Sequence, residues 1–337
     1  MIRGQLKGAS DRPRRKWLSK LAIAATIIGS AMALAAAGYA KAAGSSAAAL
    51  PRGFQSRDAE VGPVRIHYVI GGQGPAVLLI HGWPETWYEW RGTMKRLARS
   101  HTVIAADMRG FGESSLSPSG YDKKTLAQDL YGLMQQLGHP HAIVVGHDWG
   151  GPVAYAYAAQ HPDAVTKLVL IEGAPFGPWM KSIEPFWFFH FFRVPGGYAE
   201  KLIEGRVPQF LSYFYRSPEF HVVPAFDDQV IATYTAAYAR PGRMVPGYAL
   251  YRAIDQDVRD NVRFAKEKLS IPVLAIGARR GAGEATDDGA RAVATNVTPI
   301  LFEDTGHFIP EERPAALAKI IEDFAQGRPI ASVWRPS

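Results

Sequence analysis

The 337-residue chain contains no cysteine. That excludes disulfides, thiolate catalysis and cysteine-ligated zinc, and it is compatible with export. No phosphate-cradling G-x-x-x-x-G-K-[ST] motif occurs, nor any internal repeat or low-complexity run in the body. A charge imbalance is missing from most of the chain as well. The formal charge is +7, yet eight Lys/Arg (Arg3, Lys7, Arg12, Arg14, Arg15, Lys16, Lys20 and Lys41) fall within residues 1–42, against Asp11 alone. Thirty basic and thirty acidic residues remain, so the body is neutral and offers no footprint for a nucleic-acid partner. What is abundant is apolar material. With 47% hydrophobic and 20% charged residues, the chain can bury the core of one large α/β domain with an insertion.

The basic leader reads as a targeting segment. "PRRKWLSK" (Pro13 to Lys20) resembles a twin-arginine export signal, followed by the apolar "LAIAATIIGSAMALAAAGYA" and small residues suited to cleavage after Ala40 or Ala42. The alternative is an uncleaved anchor, since twenty residues could span a bilayer, although the alanine-rich composition is weakly apolar. The expected organisation is therefore a signal peptide at 1–42, a linker at 43–60, a first core segment at 61–174, a helical cap at 175–263 and a second core segment at 264–337. A processed chain would be periplasmic or secreted, with no stable membrane insertion. Oligomeric state is not legible.

Within the body, "VRIHYVI", "AVLLI", "HTVIAAD", "HAIVV", "VTKLVLIEG", "IPVLAIG" and "TPILFED" read as strands, with helices between them such as Thr125–Leu137. Strands alternating with helices imply a mostly parallel sheet covered on both faces. Between Pro175 and Arg263 the pattern changes to aromatic-rich helical stretches ("FWFFHFF", "FLSYFY"), which read as a lid inserted after about the sixth strand. A helix from Arg313 to Phe324 closes the chain.

The chemistry is concentrated in "VVGHDWGG". Gly146 and Gly150 flank Asp148 at a strand-to-helix junction, the G-x-Nuc-x-G spacing of a nucleophile elbow. A carboxylate there could also simply cap the next helix. Two further features favour the elbow: His307 in "GHFIPEERP", between the last strand and last helix, and "HGWPETWYEW" directly after a buried strand. Together these motifs and "YRA" resemble the α/β-hydrolase superfamily, and within it the epoxide hydrolase branch, over nearly all of residues 65–327. The resemblance implies an α/β-hydrolase fold with a helical cap, no metal or organic cofactor, and a small apolar epoxide as substrate. It also implies Asp148 as nucleophile, His307 as base, and the backbone N–H groups of Trp83 and Trp149 as an oxyanion hole.

Aspartate, rather than serine, suits attack on saturated carbon. The ester it forms can be hydrolysed, whereas a serine ether could not. Epoxides and alkyl halides both qualify. A haloalkane dehalogenase would carry asparagine at Trp83, and a haloacetate dehalogenase would carry arginine at Trp149, so the halide reading is the alternative. A catalytically weak ligand-binding relative is a third reading. Epoxide hydrolases use a pair of lid donors to the departing oxygen; the resemblance places Tyr251 of "LYRAI" at one of them, but Phe188 stands where the second is expected. Either His190 replaces it through a local shift of the lid, or Tyr251 works alone. Many members of the family carry the acid that orients the histidine after the strand matching "IPVLAIG", where "ARRGAGEATDD" has no acid before Glu284. Others carry it after the preceding core strand, and the resemblance then implies Glu172, at the end of "LVLIEG", a charge ending an apolar run that needs a partner. Glu284, Asp287 and Asp288 are the alternatives.

Overall fold

The computed structural model describes residues 48–180 and 186–335. The segment expected to be an export signal, with its expected cleavage sites, lies outside the described residues. The strands are β1 (Phe54–Val61), β2 (Val64–Gly71), β3 (Ala76–Ile80), β4 (Thr102–Ala106), β5 (Ala142–His147), β6 (Val165–Ile171), β7 (Val273–Arg280), β8 (Val297–Gly306) and β9 (Val333–Trp334). They form a single sheet in the order β1-β2-β4-β3-β5-β6-β7-β8-β9. β2 pairs antiparallel with β1 and β4, and every later pairing is parallel. Every residue of β3 and β5 is buried, which requires cover on both faces of the sheet.

That cover comes from the helices between the strands. α1 (Arg91–Leu97) packs with the C-terminal helix, and α2 (Lys123–Gln136) packs with α3 (Gly150–Gln160). Asp122 caps α2, its side chain accepting from the Thr125 N–H at 2.9 Å. Between β6 and β7 the described residues form helices only: α4 (Trp187–Arg193), α5 (Tyr198–Ile203), α6 (Val207–Arg216), α7 (Asp228–Tyr238), α8 (Val245–Arg252) and α9 (Ile254–Phe264). This is the expected insertion after the sixth strand. α10 (Ala285–Val293), α11 (Ile309–Glu312) and α12 (Pro314–Ala325) complete the core.

Three boundaries differ from the sequence reading. The linker expected to reach residue 60 gives way at Phe54 to β1, whose FQSRDAEV pattern is mostly exposed and therefore carries little apolar signal. The segment "ARRGAGEATDD" is split between the end of β7 and the start of α10. The C-terminal helix does not close the chain, because two residues beyond it, Val333 and Trp334, pair with β8.

The cap is fastened to the core by buried phenols. Tyr215 donates to the carbonyl of Pro84, and Tyr238 donates to that of Glu85 at 2.6 Å. Tyr234 donates to Glu311 at 2.5 Å. Among the described residues no helix is long and apolar enough to cross a membrane.

Candidate active site

β5 ends at His147, and the chain turns at once into α3. The turn is tight. A Cβ on Gly146 would lie 2.0 Å from the Gly150 carbonyl oxygen, and one on Gly150 would lie 2.2 Å from that of Ile80. Only glycine fits either place. Asp148 itself takes φ +49°, and Glu172, at the end of β6, takes φ +51°. They are the two non-glycine residues at positive φ among the described residues. Such backbone costs about 1–3 kcal/mol and is kept where the surrounding structure enforces it. Here it points two carboxylates into one site.

His307 joins them. Its Nε2 lies 3.4 Å from Asp148 Oδ2 and its Nδ1 lies 3.2 Å from Glu172 Oε2. The other Asp148 oxygen, Oδ1, accepts the Trp83 N–H at 2.8 Å. Trp149 is the N-cap of α3, so its N–H lies outside the helix's internal ladder. The Asp148 and His307 side chains remain 22% and 20% exposed, enough for a substrate to reach them.

Glu172 is fully enclosed, and its charge is met by backbone. Oε1 accepts the Ala278 N–H and Oε2 accepts the Ala282 N–H, both at 2.6 Å. The loop after β7 carries no acid before Glu284; its backbone wraps the carboxylate that β6 supplies. The alternatives are placed elsewhere: Glu284 and Asp288 are exposed, and Asp287 pairs with Arg291 at 2.8 Å.

Electrostatics make Asp148 and His307 an ion pair. Burial opposes charge on Asp148, but the hydrogen bond and charge of His307, together with His147 and the Trp83 N–H, hold it below the usual carboxylate value. Burial likewise opposes a cationic His307. The hydrogen bonds it donates to Asp148 and Glu172 overcome that and lift it to about 9. The resting imidazole therefore carries both protons at neutral pH.

Tyr251 enters from α8 and is buried at the centre of an aromatic cage. Its ring lies 4.6 Å from Trp149, 4.8 Å from Phe192, 4.9 Å from Phe189 and 5.8 Å from Trp83, centroid to centroid. Burial, and then the charge of Asp148, raise its phenol well above the ordinary value and keep the proton on oxygen. His190 is not brought to this cage. It is exposed on α4, while Phe188 and Phe192 of the same helix are buried. At about 100° per residue, two positions along the helix carry His190 round to another face. Of the two alternatives, His190 replacing the donor missing at Phe188 or Tyr251 working alone, this facing favours the second.

Several residues of the site carried no role in the sequence reading. Asp107 accepts the Trp87 N–H at 2.9 Å and pairs with His67 at 2.7 Å, bracing the loop that bears Trp83. Glu312 accepts the Gly306 N–H at 2.9 Å and the Val222 N–H at 2.8 Å, while the His307 N–H donates to the Phe220 carbonyl at 2.7 Å. Cap and core thus share the loop of His307. Beneath it, His147 Nε2 bonds the His307 carbonyl at 2.9 Å, and its Nδ1 faces Glu89 at 3.1 Å and Glu85 at 3.4 Å. Glu85, Glu89 and His147 are also the group able to hold a metal ion among the described residues, with ligand atoms within 4.8 Å of one another. Burial and the neighbouring Glu85 raise Glu89 strongly, so a retained proton balances the charge there. Of these residues, Glu85 of "HGWPE" and Glu312 of "FIPEE" were visible in the sequence as acids inside apolar motifs, where a charge needs a partner.

Comparison with known proteins agrees with this geometry. The family described as alpha/beta hydrolase fold matches residues 75–314. A soluble epoxide hydrolase of Corynebacterium sp. (strain C12) is 36% identical over 264 residues, covering 74% of this chain and 90% of the relative. A fluoroacetate dehalogenase of Burkholderia sp. is 30% identical over 292 residues, covering 81% of this chain and 94% of the relative. Among solved structures, epoxide hydrolase CorEH superimposes with a TM-score of 0.76 at 33% identity, over 82% of this chain and 100% of that one. Elbow, cap and matches converge: the chain is a hydrolase of the α/β-hydrolase superfamily, in its epoxide hydrolase branch.

Proposed function

We propose that this hydrolase opens apolar epoxides to vicinal diols through a covalent ester on Asp148, without a cofactor. The observation that carries the reading is the nucleophile itself. A carboxylate stands at the elbow, between an imidazole backed by Glu172 and a buried lid phenol. Soluble epoxide hydrolase among the relatives supports it.

The two oxygens of Asp148 have different jobs. Oδ2 bonds to the epoxide carbon while Tyr251 donates its proton to the ring oxygen and the C–O bond breaks. Oδ1, held by the Trp83 N–H, becomes the ester carbonyl oxygen, and the Trp83 and Trp149 N–H groups receive its negative charge when water adds. Ester formation removes the charge that kept His307 protonated. Its proton can then pass to the Tyr251 phenolate left by ring opening, which restores the lid donor, and the neutral imidazole becomes the base for water. Collapse of the tetrahedral intermediate releases the diol and restores the carboxylate. Alkylation of the nucleophile thereby arms the base.

Halide chemistry needs a donor for the departing anion. Trp83 Nε1 has no hydrogen-bond partner, but it is pressed against α8, where a Cβ on Gly247 would lie 2.2 Å from it. That site has no room for an ion. Incubating His307→Gln with a panel of styrene-type and aliphatic epoxides, and weighing the intact protein, tests the reading. A mass gain equal to the epoxide supports it. A gain only with bromoalkanes, as the alkyl group without bromide, would transfer the chain to the dehalogenase alternative.

A further inference from the structure

One buried cation is left unused by the chemistry above. Lys123 opens α2 and its side chain is 1% exposed. Two physical rules oppose a charge there: burial disfavours an ammonium, and the N-terminal end of a helix is itself positive. A residue that breaks both rules is expected where its contacts do something other than hold the fold together.

Its contacts converge on the lid donor. The Lys123 ammonium lies 2.7 Å from Asp257 Oδ2 on α9 and donates to the Leu250 carbonyl at 2.7 Å. Leu250 immediately precedes Tyr251 and sits in the last turn of α8, where carbonyls have no partner within the helix. The same ammonium lies 4.2 Å from the centre of the Trp149 ring, and that ring packs edge-on against Tyr251 at 4.6 Å. Asp257 returns a second bond, its Oδ1 accepting the Lys123 N–H at 2.9 Å. One cation thus touches the residue following the nucleophile and the backbone of the residue preceding the lid phenol. On α4, Phe188, Phe189 and Phe192 meet Tyr251 through ring contacts.

We propose that Lys123 is the positioning residue for Tyr251, clamping the end of α8 and the Trp149 indole so that a single phenol serves ring opening without a second lid donor. The proposal rests on the epoxide reading and deepens it. Lys123 acts through Tyr251 and touches neither substrate nor nucleophile. Its removal should therefore impair the alkylation half-reaction alone.

The test uses the double variant Lys123→Met/Asp257→Asn. This removes both charges together and keeps an amide oxygen for the Lys123 backbone N–H, so no buried carboxylate is stranded. Single-turnover alkylation with a styrene-type epoxide should slow by about ten- to a hundredfold, while hydrolysis of the preformed ester stays within about twofold. In a Tyr251→Phe background the same double change should cost less than about twofold, because the group it positions is already gone. Losses that multiply in that background, or that fall equally on both half-reactions, would show a general packing role and overturn the proposal. A second readout needs no turnover. With 3-fluorotyrosine incorporated, the resonance that disappears in Tyr251→Phe should shift or broaden in the double variant, and an unmoved, equally sharp resonance would also overturn it. If no epoxide alkylates the wild type, the epoxide reading fails, while the fluorine measurement still decides whether Lys123 places Tyr251.

Discussion

His307 carries the clearest single-residue consequence, because its protonation is set by the group it will later serve. An imidazole titrating at about 9 is a poor base at neutral pH, and this one becomes useful only after Asp148 has been esterified. NMR titration of the His307 ring protons should therefore give a value near 9 in the resting protein. Asp148→Asn removes the leading partner that raises it, and the titration should move down towards neutrality. The same linkage reaches stability. A group raised from 6.5 to about 9 on folding stabilises fully below 6.5 and loses that contribution as pH rises through 9. At about 1.4 kcal/mol per unit, unfolding free energy should fall by at most roughly 3 kcal/mol across that window, and Asp148→Asn should flatten the slope. Denaturant midpoints measured from pH 6 to 10 on both proteins decide it. Glu172→Gln keeps the shape but removes the charge facing Nδ1, so ester hydrolysis should slow by about ten- to a thousandfold while alkylation changes little. Equal loss in both steps would argue that Glu172 only supports the fold of its loop.

At the scale of elements, the elbow was legible because a turn that sharp admits only glycine on either side of the nucleophile. A methyl at Gly150 meets backbone, so Gly150→Ala should cost more than about 3 kcal/mol. Gly138→Ala, at positive φ but with nothing within 4 Å, should cost only about 1–2 kcal/mol. Urea midpoints of the two variants provide the comparison. Asp148, His307 and Glu172 could be named from sequence because each ends a strand whose apolar run marks it, and chain order supplied the rest. β1 could not be found that way, since its exposed residues give an edge strand no apolar period. The choice between His190 and Tyr251 alone stayed open for a related reason: residue type offered a donor, but the facing of a seven-residue helix is settled by how Phe188 and Phe192 pack. The network of Glu85, Glu89 and His147 lay in quoted motifs, yet only tertiary contact between the loop after β3 and the end of β5 pairs them. Tyr251, anchored in the "YRA" pattern, should slow alkylation by roughly ten- to a thousandfold when changed to phenylalanine, because its hydrogen bond strengthens as the ring opens.

For the whole molecule, charge and site separate along the chain: residues 1–42 carry the positive excess, and the neutral remainder carries the candidate site. We propose export by the twin-arginine route, with the mature chain beginning near Lys41 or Ala43. Arg14→Lys/Arg15→Lys should then trap the precursor in the cell, and N-terminal sequencing of the periplasmic fraction should read the cleaved start. Recovery of full-length chain in membranes alone would favour the anchor. The central claim concerns which atom attacks the epoxide, and one isotope experiment addresses it without any variant. Excess enzyme is given one equivalent of epoxide in ¹⁸O-labelled water, and product and protein are weighed after a single turnover. Attack by Asp148 predicts an unlabelled diol and one heavy oxygen in the peptide containing Asp148, released into diol only on later turnovers. Label in the diol of the first turnover, with Asp148 unlabelled, would mean that water opens the ring directly and would contradict the covalent account.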